Sequence, residues 1–257
     1  MATPKKDDTW PADVLTLSID IGGTGLKASV LNAQGEMTAD RVRVDTPYPC
    51  PPQTLVDTLA SLVEPLPTAH RVSVGFPGLV RKGCVIEVPS LSRREYGGDR
   101  DPELAAAWSQ FDLASALADR FSRPTRVVND ADMQGCAVVD GTGFEFVMTL
   151  GTGVGTALFS DGVLLPHMEL SHGPFKDGLT FDLALGNAAR KDIGNDRWVK
   201  RVRKAIRAFD DMLYFDRIFI GGGNAKHLTP DDIGPKGQVV PNTAGILGGI
   251  RVWDHSI

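Results

Sequence analysis

Val127-Val128-Asn129-Asp130-Ala131-Asp132 lies at the centre of this sequence and sets the frame for its interpretation. The apolar residues before Asn129 predict a buried strand, and the residues that follow, up to Val139, can continue as a helix. Asn129 is a good N-cap for that helix, and Asp130 falls in its first turn. A carboxylate at the end of a buried strand is held rigidly, which suits a general base acting on a hydroxyl group. These residues alone leave a second interpretation open, in which Asn129 and Asp130 only cap the helix.

The composition is that of an ordinary globular protein. The chain has 257 residues, 42% hydrophobic and 23% charged, enough for one large domain or two of ordinary size. A net charge of -5 argues against a nucleic-acid partner. No apolar run approaches the roughly 20 residues of a membrane span. The polar stretch 1–10 lacks the apolar core of a signal peptide, so we expect no membrane partner.

Three cysteines, Cys50, Cys84 and Cys136, are widely spaced and form no CxxC pair. This usage fits a reducing compartment and predicts a cytoplasmic protein with buried, inert thiols. It also offers no thiolate metal site.

Three glycine-rich turns each follow an apolar strand. Their residues are Gly22, Gly23, Thr24 and Gly25; Gly151, Thr152 and Gly153; and Gly221, Gly222 and Gly223. Ligands collect at strand ends in such sheets, and N–H groups in glycine turns can hold phosphate. The GxxxxGK[ST] spacing of a Walker A loop is missing. Each cluster taken alone can also be a tight turn without a ligand.

Two charged residues flank the first of these turns. Asp20 can hold Mg²⁺, usually through water, because Mg²⁺ keeps much of its hydration shell. It can equally be an aspartate that caps the turn. Lys27 can pair with a phosphate or be a solvated charge on the strand that leaves the turn.

The chain in order predicts an α/β protein with two similar halves. The first half is predicted as β-β-β-α-β followed by a helix, with a long, mobile loop or flap between them. The second half again begins with a strand, a glycine turn and a returning strand, which suggests an internal duplication. The predicted strands are 14–20, 26–31, 37–44, 71–80, 144–150, 156–159, 163–165 and 216–220; the predicted helices are 53–66, 113–121, 180–189, 196–212 and one that begins at 241; the loop is 90–101.

The chain resembles a known family once these motifs are taken together. The first turn resembles the phosphate-1 motif of the actin/hexokinase/Hsp70-type ATPases, the second resembles phosphate-2, and the third resembles the adenosine motif. Gly75-Phe76-Pro77-Gly78, Asn129-Asp130-Ala131 and Glu169-Leu170-Ser171-His172 narrow the resemblance to the ROK sugar kinases. Within that family it is most similar to the bacterial polyphosphate/ATP glucokinases. The resemblance covers about residues 14 to 250.

The resemblance implies a two-lobed, ribonuclease H-like α/β fold of the actin/hexokinase type, with the active site in the interdomain cleft. A smaller N-terminal lobe would comprise residues 12–126 and a larger C-terminal lobe residues 127–257, with the terminal helix packing back on the N-lobe. Asp130 would take the proton from the sugar hydroxyl. The sugar-binding residues would be Asn129, Glu169, His172, Gly75, Pro77 and Gly78. The residues that bind the donor, ATP or polyphosphate, would be Asp20, Gly22, Gly23, Thr24, Gly25, Lys27, Gly151, Thr152, Gly153, Gly221, Gly222 and Gly223, and Asp20 would also hold Mg²⁺.

Several departures from the family pattern touch the acceptor pocket. Stretch 172–178 lacks the zinc-binding cysteines that many ROK proteins carry, so no zinc is expected. Ser171 stands where the family usually has glycine. The family also has a sugar-contacting glutamate near the start of the next helix; in this chain either Asp182 substitutes for it or the contact is lost. The family's Asn-Leu pair appears as Ser90-Leu91, followed by an insertion at 92–103. The sequence therefore indicates a phosphoryl-transfer reaction more strongly than it indicates glucose as the sugar that accepts the phosphoryl group.

The donor and the activity each keep alternatives. A polyphosphate donor should favour a long basic groove. Arg93, Arg94 and Arg100 can line one. Basic residues of helix 196–212 can also line one, unless they only form a solvated face; they are Lys200, Arg201, Arg203, Lys204 and Arg207. The leading hypothesis is a Mg²⁺-dependent kinase that converts glucose to glucose 6-phosphate. The alternatives are a kinase for a different sugar or polyol, and a non-catalytic sugar-sensing ROK protein. The resemblance also implies a homodimer.

Overall fold

Two five-stranded mixed sheets organise the protein in a computed structural model that describes residues 10–240 and 244–255. The strands are β1 Thr16–Ile21, β2 Leu26–Leu31, β3 Val42–Val44, β4 Arg71–Phe76, β5 Leu79–Arg81, β6 Cys84–Glu87, β7 Phe111–Asp112, β8 Thr125–Asn129, β9 Phe144–Leu150, β10 Val154–Ser160, β11 Val163–Leu164, β12 Pro174–Lys176, β13 Leu179–Thr180, β14 Arg217–Gly221 and β15 Gly237–Val239. The α-helices are α1 Pro52–Val63, α2 Pro102–Trp108, α3 Leu113–Phe121, α4 Asp130–Cys136, α5 Phe181–Leu185, α6 Asn187–Ile193, α7 Asn195–Leu213, α8 Pro230–Ile233 and α9 Ala244–Arg251. Short 3₁₀ turns lie at Leu170–His172, Ala225–His227 and Val252–Asp254.

The chain divides into two units. Unit 1 comprises Met1–Met133 and Ile246–Ile257, and unit 2 comprises Gln134–Gly245. The division at 126/127 that the resemblance implies stays a prediction. Among the described residues, none of the helices combines the length and the hydrophobicity needed to cross a lipid bilayer.

The sheet of unit 1 has the order β3-β2-β1-β4-β8. Strands β1, β2 and β3 form the predicted antiparallel meander, while β4 and β8 continue the sheet parallel to β1. Helix α1 buries Leu55 and Leu59 and packs against α3. Because β1, β4 and β8 are parallel, they end at one edge of the sheet.

Helix α9, near the end of the chain, is tied to this sheet, since the Ser73 hydroxyl on β4 donates a hydrogen bond to the carbonyl oxygen of Gly249 in α9.

Unit 2 repeats this topology. Its sheet has the order β11-β10-β9-β14-β15, with β9 and β10 antiparallel and β14 parallel to β9. Helix α7 buries Trp198, Val202 and Phe209 in a core that also holds Phe146 and Phe181. The second glycine turn joins β9 to β10, just as the first joins β1 to β2.

Several elements differ from the sequence-based predictions. The third strand is only β3, because Met37 makes a single isolated bridge to Leu31. The strand predicted over 71–80 is two strands, since the chain turns at Pro77-Gly78 between β4 and β5. The helix predicted over 180–189 breaks at Gly186, whose backbone is extended (ψ 163°). Strands β6 and β7, which form a separate small sheet with β5, and helix α2 were not predicted.

Candidate active site

The predicted base and the first glycine turn follow two strands of unit 1, β8 and β1, that are separated by β4 alone. Asp20 on β1 is the register partner of Gly75 on β4, and Gly75 is the partner of Val128 on β8. Asn129 and Asp130 follow Val128 directly. Strand pairing therefore places the first turn, the Gly75–Gly78 turn and Asp130 side by side at one edge of the sheet, where α/β proteins bind ligands.

The turn between β1 and β2 is closed by its own backbone. The Gly22 N–H donates to the Gly25 carbonyl oxygen over 3.0 Å, and Thr24 is exposed at the tip. Lys27 forms a salt bridge of 3.1 Å with Asp20, and both side chains are partly exposed. The lysine is therefore not merely solvated, since its ammonium group is held against Asp20 beside the turn.

Residues from the following segment hold this turn in place. The Thr46 hydroxyl donates to the Gly22 carbonyl oxygen (2.6 Å), and the Tyr48 hydroxyl donates to that of Gly23 (2.8 Å). Burial raises the pKa of the Tyr48 phenol, so it stays a hydrogen-bond donor at neutral pH. With two carbonyl oxygens bound by these hydroxyls, the turn keeps a fixed backbone conformation.

Asn129 both caps α4 and ties it to the neighbouring turn. Its side-chain oxygen accepts a hydrogen bond from the Ala131 N–H (2.8 Å), as an N-cap does, and its amide nitrogen donates to the Gly78 carbonyl oxygen (3.1 Å). Asn129 is 5% exposed, whereas the neighbouring Asp130 is exposed. The two interpretations of this stretch are therefore compatible, because a buried cap leaves the next carboxylate facing outward on a rigid support.

In unit 2, the second glycine turn is held by Asp182 and Asn187. The Asp182 carboxylate accepts a hydrogen bond from the Val154 N–H (2.7 Å), and the Asn187 N–H donates to the Gly151 and Thr152 carbonyl oxygens (3.0 and 3.1 Å). A Cβ atom at Gly153 would overlap the Asp182 carboxylate. The break between α5 and α6 thus serves to support this turn.

The third glycine cluster lies beside the second. Strand β14 is parallel to β9, with Gly221 opposite Thr149, and the Asn224 amide donates to the Gly151 carbonyl oxygen (3.0 Å). Gly222 has φ +85°, in the left-handed region, and a Cβ there would lie 2.7 Å from the Leu150 nitrogen. Unit 2 therefore brings together the predicted phosphate-2 and adenosine motifs.

Glu169 and His172 lie in unit 2, around a 3₁₀ turn. The distances from Glu169 oxygens to ring nitrogens are 3.5 Å for His167 and 3.8 Å for His172. A long hydrogen bond from His167, together with the charges of both histidines, holds the pKa of the Glu169 carboxyl below its ordinary value despite partial burial. This carboxylate is therefore an ionised acceptor at neutral pH.

The sequence matches the ROK family over residues 16–173, which is more than half of the chain. The chain belongs to the ROK family.

Sequence relatives in this family are named sugar kinases. Polyphosphate glucokinase of Mycobacterium tuberculosis (strain CDC 1551 / Oshkosh) is 26% identical over 246 residues, covering 90% of this chain and 88% of that protein. N-acetylmannosamine kinase of Escherichia coli (strain SE11) is 35% identical over 155 residues, covering 58% of this chain and 49% of that protein. The first similarity therefore spans nearly the whole chain, whereas the second is restricted to part of it.

Solved structures of ROK proteins share the fold. The inorganic polyphosphate/ATP-glucomannokinase from Arthrobacter sp. strain KM has a TM-score of 0.73 at 28% identity, covering 94% of this chain and 99% of that one. The ROK family glucokinase from Streptomyces griseus, in complex with glucose and AMPPNP, has a TM-score of 0.69 at 18% identity, covering 93% and 98%. The α/β fold of the actin/hexokinase type that the sequence predicted is thereby confirmed.

The acceptor-side departures from the ROK pattern have visible structural consequences. Ser171 is 1% exposed, and its hydroxyl has no hydrogen-bond partner among the described residues. The Ser90 hydroxyl is likewise buried without such a partner. Ser90 lies close to the first glycine turn, because a Cβ added at Gly23 would lie 3.7 Å from the Ser90 Cβ. Asp182 supports the second turn in the way described above, a role that its sequence position did not reveal.

The insertion at 92–103 pairs its own arginines. Arg94 forms ion pairs with Asp101 and Glu103, and Arg100 pairs with Glu87 at 2.9 Å. Arg93 donates to the carbonyl oxygens of Pro89 and Gly98. All three cations therefore have local partners, and their role in a donor groove stays a prediction.

No cluster of three or more His, Cys, Asp or Glu side chains suited to a metal occurs within 10–240 and 244–255. Mg²⁺ does not require one, because it is often bound by one or two carboxylates, substrate phosphates and water. The half-exposed Asp20 carboxylate beside the first turn is a donor of this kind. Its pairing with Lys27 means that a bound cation would compete with the ammonium group.

Sequence reasoning missed the residues that support the turns. Thr46 and Tyr48 lie far from the first turn in sequence, and Asp182 and Asn224 lie far from the second. These contacts depend on long-range packing that local patterns do not encode.

Proposed function

We propose that this protein is a Mg²⁺-dependent sugar kinase that transfers a phosphoryl group from polyphosphate or ATP to a hexose hydroxyl, converting glucose to glucose 6-phosphate. The observation that carries the proposal is the row of strand ends in unit 1: Asp130 follows β8, the adjacent strand β4 leads into the Gly75–Gly78 turn, and β1, on the other side of β4, leads into the first glycine turn. Similarity to the polyphosphate glucokinase over 90% of the chain supports the choice of substrates.

In the proposed reaction, Asp130 accepts the proton of the sugar hydroxyl while the sugar oxygen attacks the terminal phosphorus of the donor. The bond from that phosphorus to the bridging oxygen breaks, and the shortened phosphate chain leaves with the electron pair. Such transfers depend mainly on positioning and charge neutralisation. N–H groups of the Gly22–Gly25, Gly151–Gly153 and Gly221–Gly223 turns provide donors for the phosphates, with Thr24 and Thr152 exposed at two of the turn tips.

Sugar recognition is assigned to Asn129, Glu169, His172 and the Gly75-Phe76-Pro77-Gly78 turn. The ionised Glu169 accepts hydrogen bonds from sugar hydroxyls, and the exposed His172 ring donates or accepts. The Asn129 amide is buried and already bonded to the Ala131 N–H and the Gly78 carbonyl oxygen, which leaves one lone pair on its oxygen for a sugar. The larger effect of Asn129 is therefore to position Asp130. Asp20 would hold Mg²⁺, which neutralises charge on the donor phosphates.

A related function with a different acceptor has its own support. Ser90 and Ser171 differ from the family pattern, and each carries a buried hydroxyl that lacks a partner among the described residues. These groups change the hydrogen-bonding character of the acceptor region. A kinase for another hexose or a polyol is therefore the second candidate, and the partial similarity to N-acetylmannosamine kinase is in keeping with acceptor variation in this family.

The decisive experiment is a matrix of donors and acceptors, assayed on wild type and on Asp130→Asn. We expect kcat in Asp130→Asn to fall by about 10²- to 10⁴-fold, the usual effect of a general base. Asp119→Asn makes the same change at an exposed site on α3 and should retain full activity. Circular dichroism checks that both variants are folded.

Retained turnover in a folded Asp130→Asn variant would remove Asp130 as the base. Sugar binding in calorimetry, with no turnover on any donor, would instead indicate a sugar sensor. A solved ROK structure described as a transcriptional regulator homologous to E. coli MLC shares this fold, with a TM-score of 0.65 at 15% identity, so the fold alone does not separate the two outcomes.

We also place the protein in the cytoplasm as a homodimer. Cys50 and Cys84 are free thiols, which suits a reducing compartment. Burial raises the pKa of the Cys50 thiol to about 12, so this thiol stays protonated and unreactive at neutral pH. The dimer rests on family resemblance, and sedimentation velocity tests it.

A further inference from the structure

A basic cavity of about 280 Å³ lies in unit 2, outside the glycine turns. We call this cavity the α7 groove. Its lining residues are Lys176 from β12, Ile193 from α6, and Arg197, Lys200, Arg201 and Lys204 from α7. Five of these six side chains are cationic. Three separate elements therefore converge on one positively charged concavity.

The spacing on α7 produces this concentration of charge. Positions 197, 200, 201 and 204 repeat at i, i+3, i+4 and i+7, so they share one face of the helix over about 10 Å. The opposite face buries Trp198, Val202 and Phe209. Like charges four residues apart repel by about 0.2–0.5 kcal/mol per pair. The arrangement thus costs stability unless an anion is bound.

Most of these cations are not neutralised within the protein. Arg197, Lys200 and Lys204 form no hydrogen bond or ion pair with any described residue, whereas the neighbouring Arg203 is paired with Asp232 at 2.6 Å. Lys176 pairs with the exposed Asp177 at 2.7 Å, and the same carboxylate interacts electrostatically with Arg201 and Lys204 without forming an ion pair with either. The Arg201 guanidinium donates to the Ala184 carbonyl oxygen at 3.3 Å. One carboxylate thus stands against five cations. The groove therefore keeps a strong excess of positive charge.

The groove is linked to the second glycine turn through a short stretch of structure. The carbonyl oxygen of Ala184 in α5 accepts the hydrogen bond from Arg201. Two residues earlier in the same helix, the Asp182 carboxylate accepts a hydrogen bond from the Val154 N–H at the end of the turn. Helix α6, which carries Ile193, begins at Asn187, whose N–H donates to the same turn. Both elements that support the turn thus also build or contact the groove.

We propose that the α7 groove binds inorganic polyphosphate, holding the part of the chain that lies beyond the phosphates engaged by the glycine turns. This rests on the proposed function for the identity of the donor. A linear chain of phosphates presents regularly spaced negative charges, which suit cations repeated along two helical turns. ATP has no such extension, so the groove distinguishes the two donors.

A nucleic acid fits the groove less well. Single-stranded nucleic acids are bound by aromatic side chains that stack on the bases, and the only apolar lining residue is Ile193. The net charge of -5 also opposes general binding of polyanions away from this groove. Polyphosphate has no bases to stack and needs only the cations.

The test compares two double variants with equal loss of charge. Arg197→Gln with Lys200→Gln removes two groove cations, and Arg207→Gln with Lys191→Gln removes two exposed cations outside the lining. Calorimetry with long-chain inorganic polyphosphate should show Kd raised at least about tenfold in the groove variant, since hydrogen bonds to charged groups are lost. The control should bind as wild type. KM for polyphosphate should rise in parallel, while KM for ATP and glucose stays unchanged.

Each result has one meaning for the groove. Failure of the wild type to bind polyphosphate, or equal binding by the groove variant, overturns the proposal even if glucose is phosphorylated. Lost binding in the groove variant supports it even if no sugar is phosphorylated, in which case the proposed function fails separately. Equal affinity for a single-stranded oligonucleotide of matched charge would overturn the assignment to polyphosphate.

Discussion

Glu169 carries a pH dependence that its surroundings determine. The long hydrogen bond from His167, with the charges of His167 and His172, lowers the pKa of its carboxyl in the folded protein. The unfolded chain has the ordinary glutamate value of about 4.3. A lowered folded pKa stabilises the fold above that value, and the contribution is lost as pH falls through the folded pKa. We therefore expect Glu169 to stabilise the protein at neutral pH and not in strong acid.

The measurement is the difference in free energy of unfolding between wild type and Glu169→Gln, followed from pH 7 downward by denaturant titration. Because the two histidines interact with Glu169 by charge only when they are protonated, the test is read below about pH 5, where the difference should shrink as the pH falls. Glu64→Gln, at an exposed position on the C-terminal side of α1, serves as the control. A difference that grows as the pH falls below about 5 would contradict the lowered pKa.

Individual residues were predictable from sequence where a local rule applies. Asn129 follows a strand and precedes a helix, so its capping role is readable, and the bond from the Ala131 N–H confirms it. Its second bond, to the Gly78 carbonyl oxygen, was not readable because that residue lies 51 positions away. The roles of Asp130, Glu169 and His172 in binding and catalysis stay predictions.

At the scale of elements, the third glycine cluster contains one glycine that the backbone conformation requires and one that it does not. Gly222 has φ +85°, and a side chain there would collide with the Leu150 backbone, whereas a Cβ at Gly223 meets no atom within 4 Å. We expect Gly222→Ala to lower the free energy of unfolding by about 1–3 kcal/mol, because alanine is strained in this conformation. Gly223→Ala should leave stability unchanged within about 0.5 kcal/mol.

Thermal unfolding and KM for the donor, measured on both variants, test this distinction. If Gly223 lies at the donor site as proposed, its alanine variant should raise KM for ATP while the melting temperature is kept. A stable Gly222→Ala protein would show that the turn relaxes more easily than its contacts indicate. An unstable Gly223→Ala protein would show that the open space beside it is needed by the fold.

Elements with strong periodicity were found, and short ones were not. Strand pairs β1–β2 and β9–β10 alternate clearly and end in glycine turns, so their hairpins were predicted in place. Strand β7 has only two residues, which is too few to show a hydrophobic pattern. Helix α7 was recognised almost to its ends because its buried and charged faces alternate with the helical period.

At the scale of the whole molecule, duplication was visible in sequence only through the two hairpins. The structure shows it in the order and direction of all five strands in each sheet. The parallel strands β4, β8, β14 and β15 carry continuous apolar runs or short segments without a repeated motif. Their equivalence arises from pairing between distant segments, which local patterns do not report.

The charge of the molecule as a whole supplies the last prediction. The protein carries a net charge of -5, yet its α7 groove contains five cations, so the proposed binding of polyphosphate there would depend on this local positive field. Fields between exposed charges are screened over about 8 Å at physiological ionic strength. Raising KCl from about 50 to 200 mM at constant free Mg²⁺ should therefore raise KM for polyphosphate at least about tenfold, as expected when several phosphate contacts are screened. Glucose is uncharged, so its KM should stay constant in the same assays and serves as the internal control. A KM for polyphosphate that does not respond to salt would mean that contacts other than the groove cations hold the donor chain.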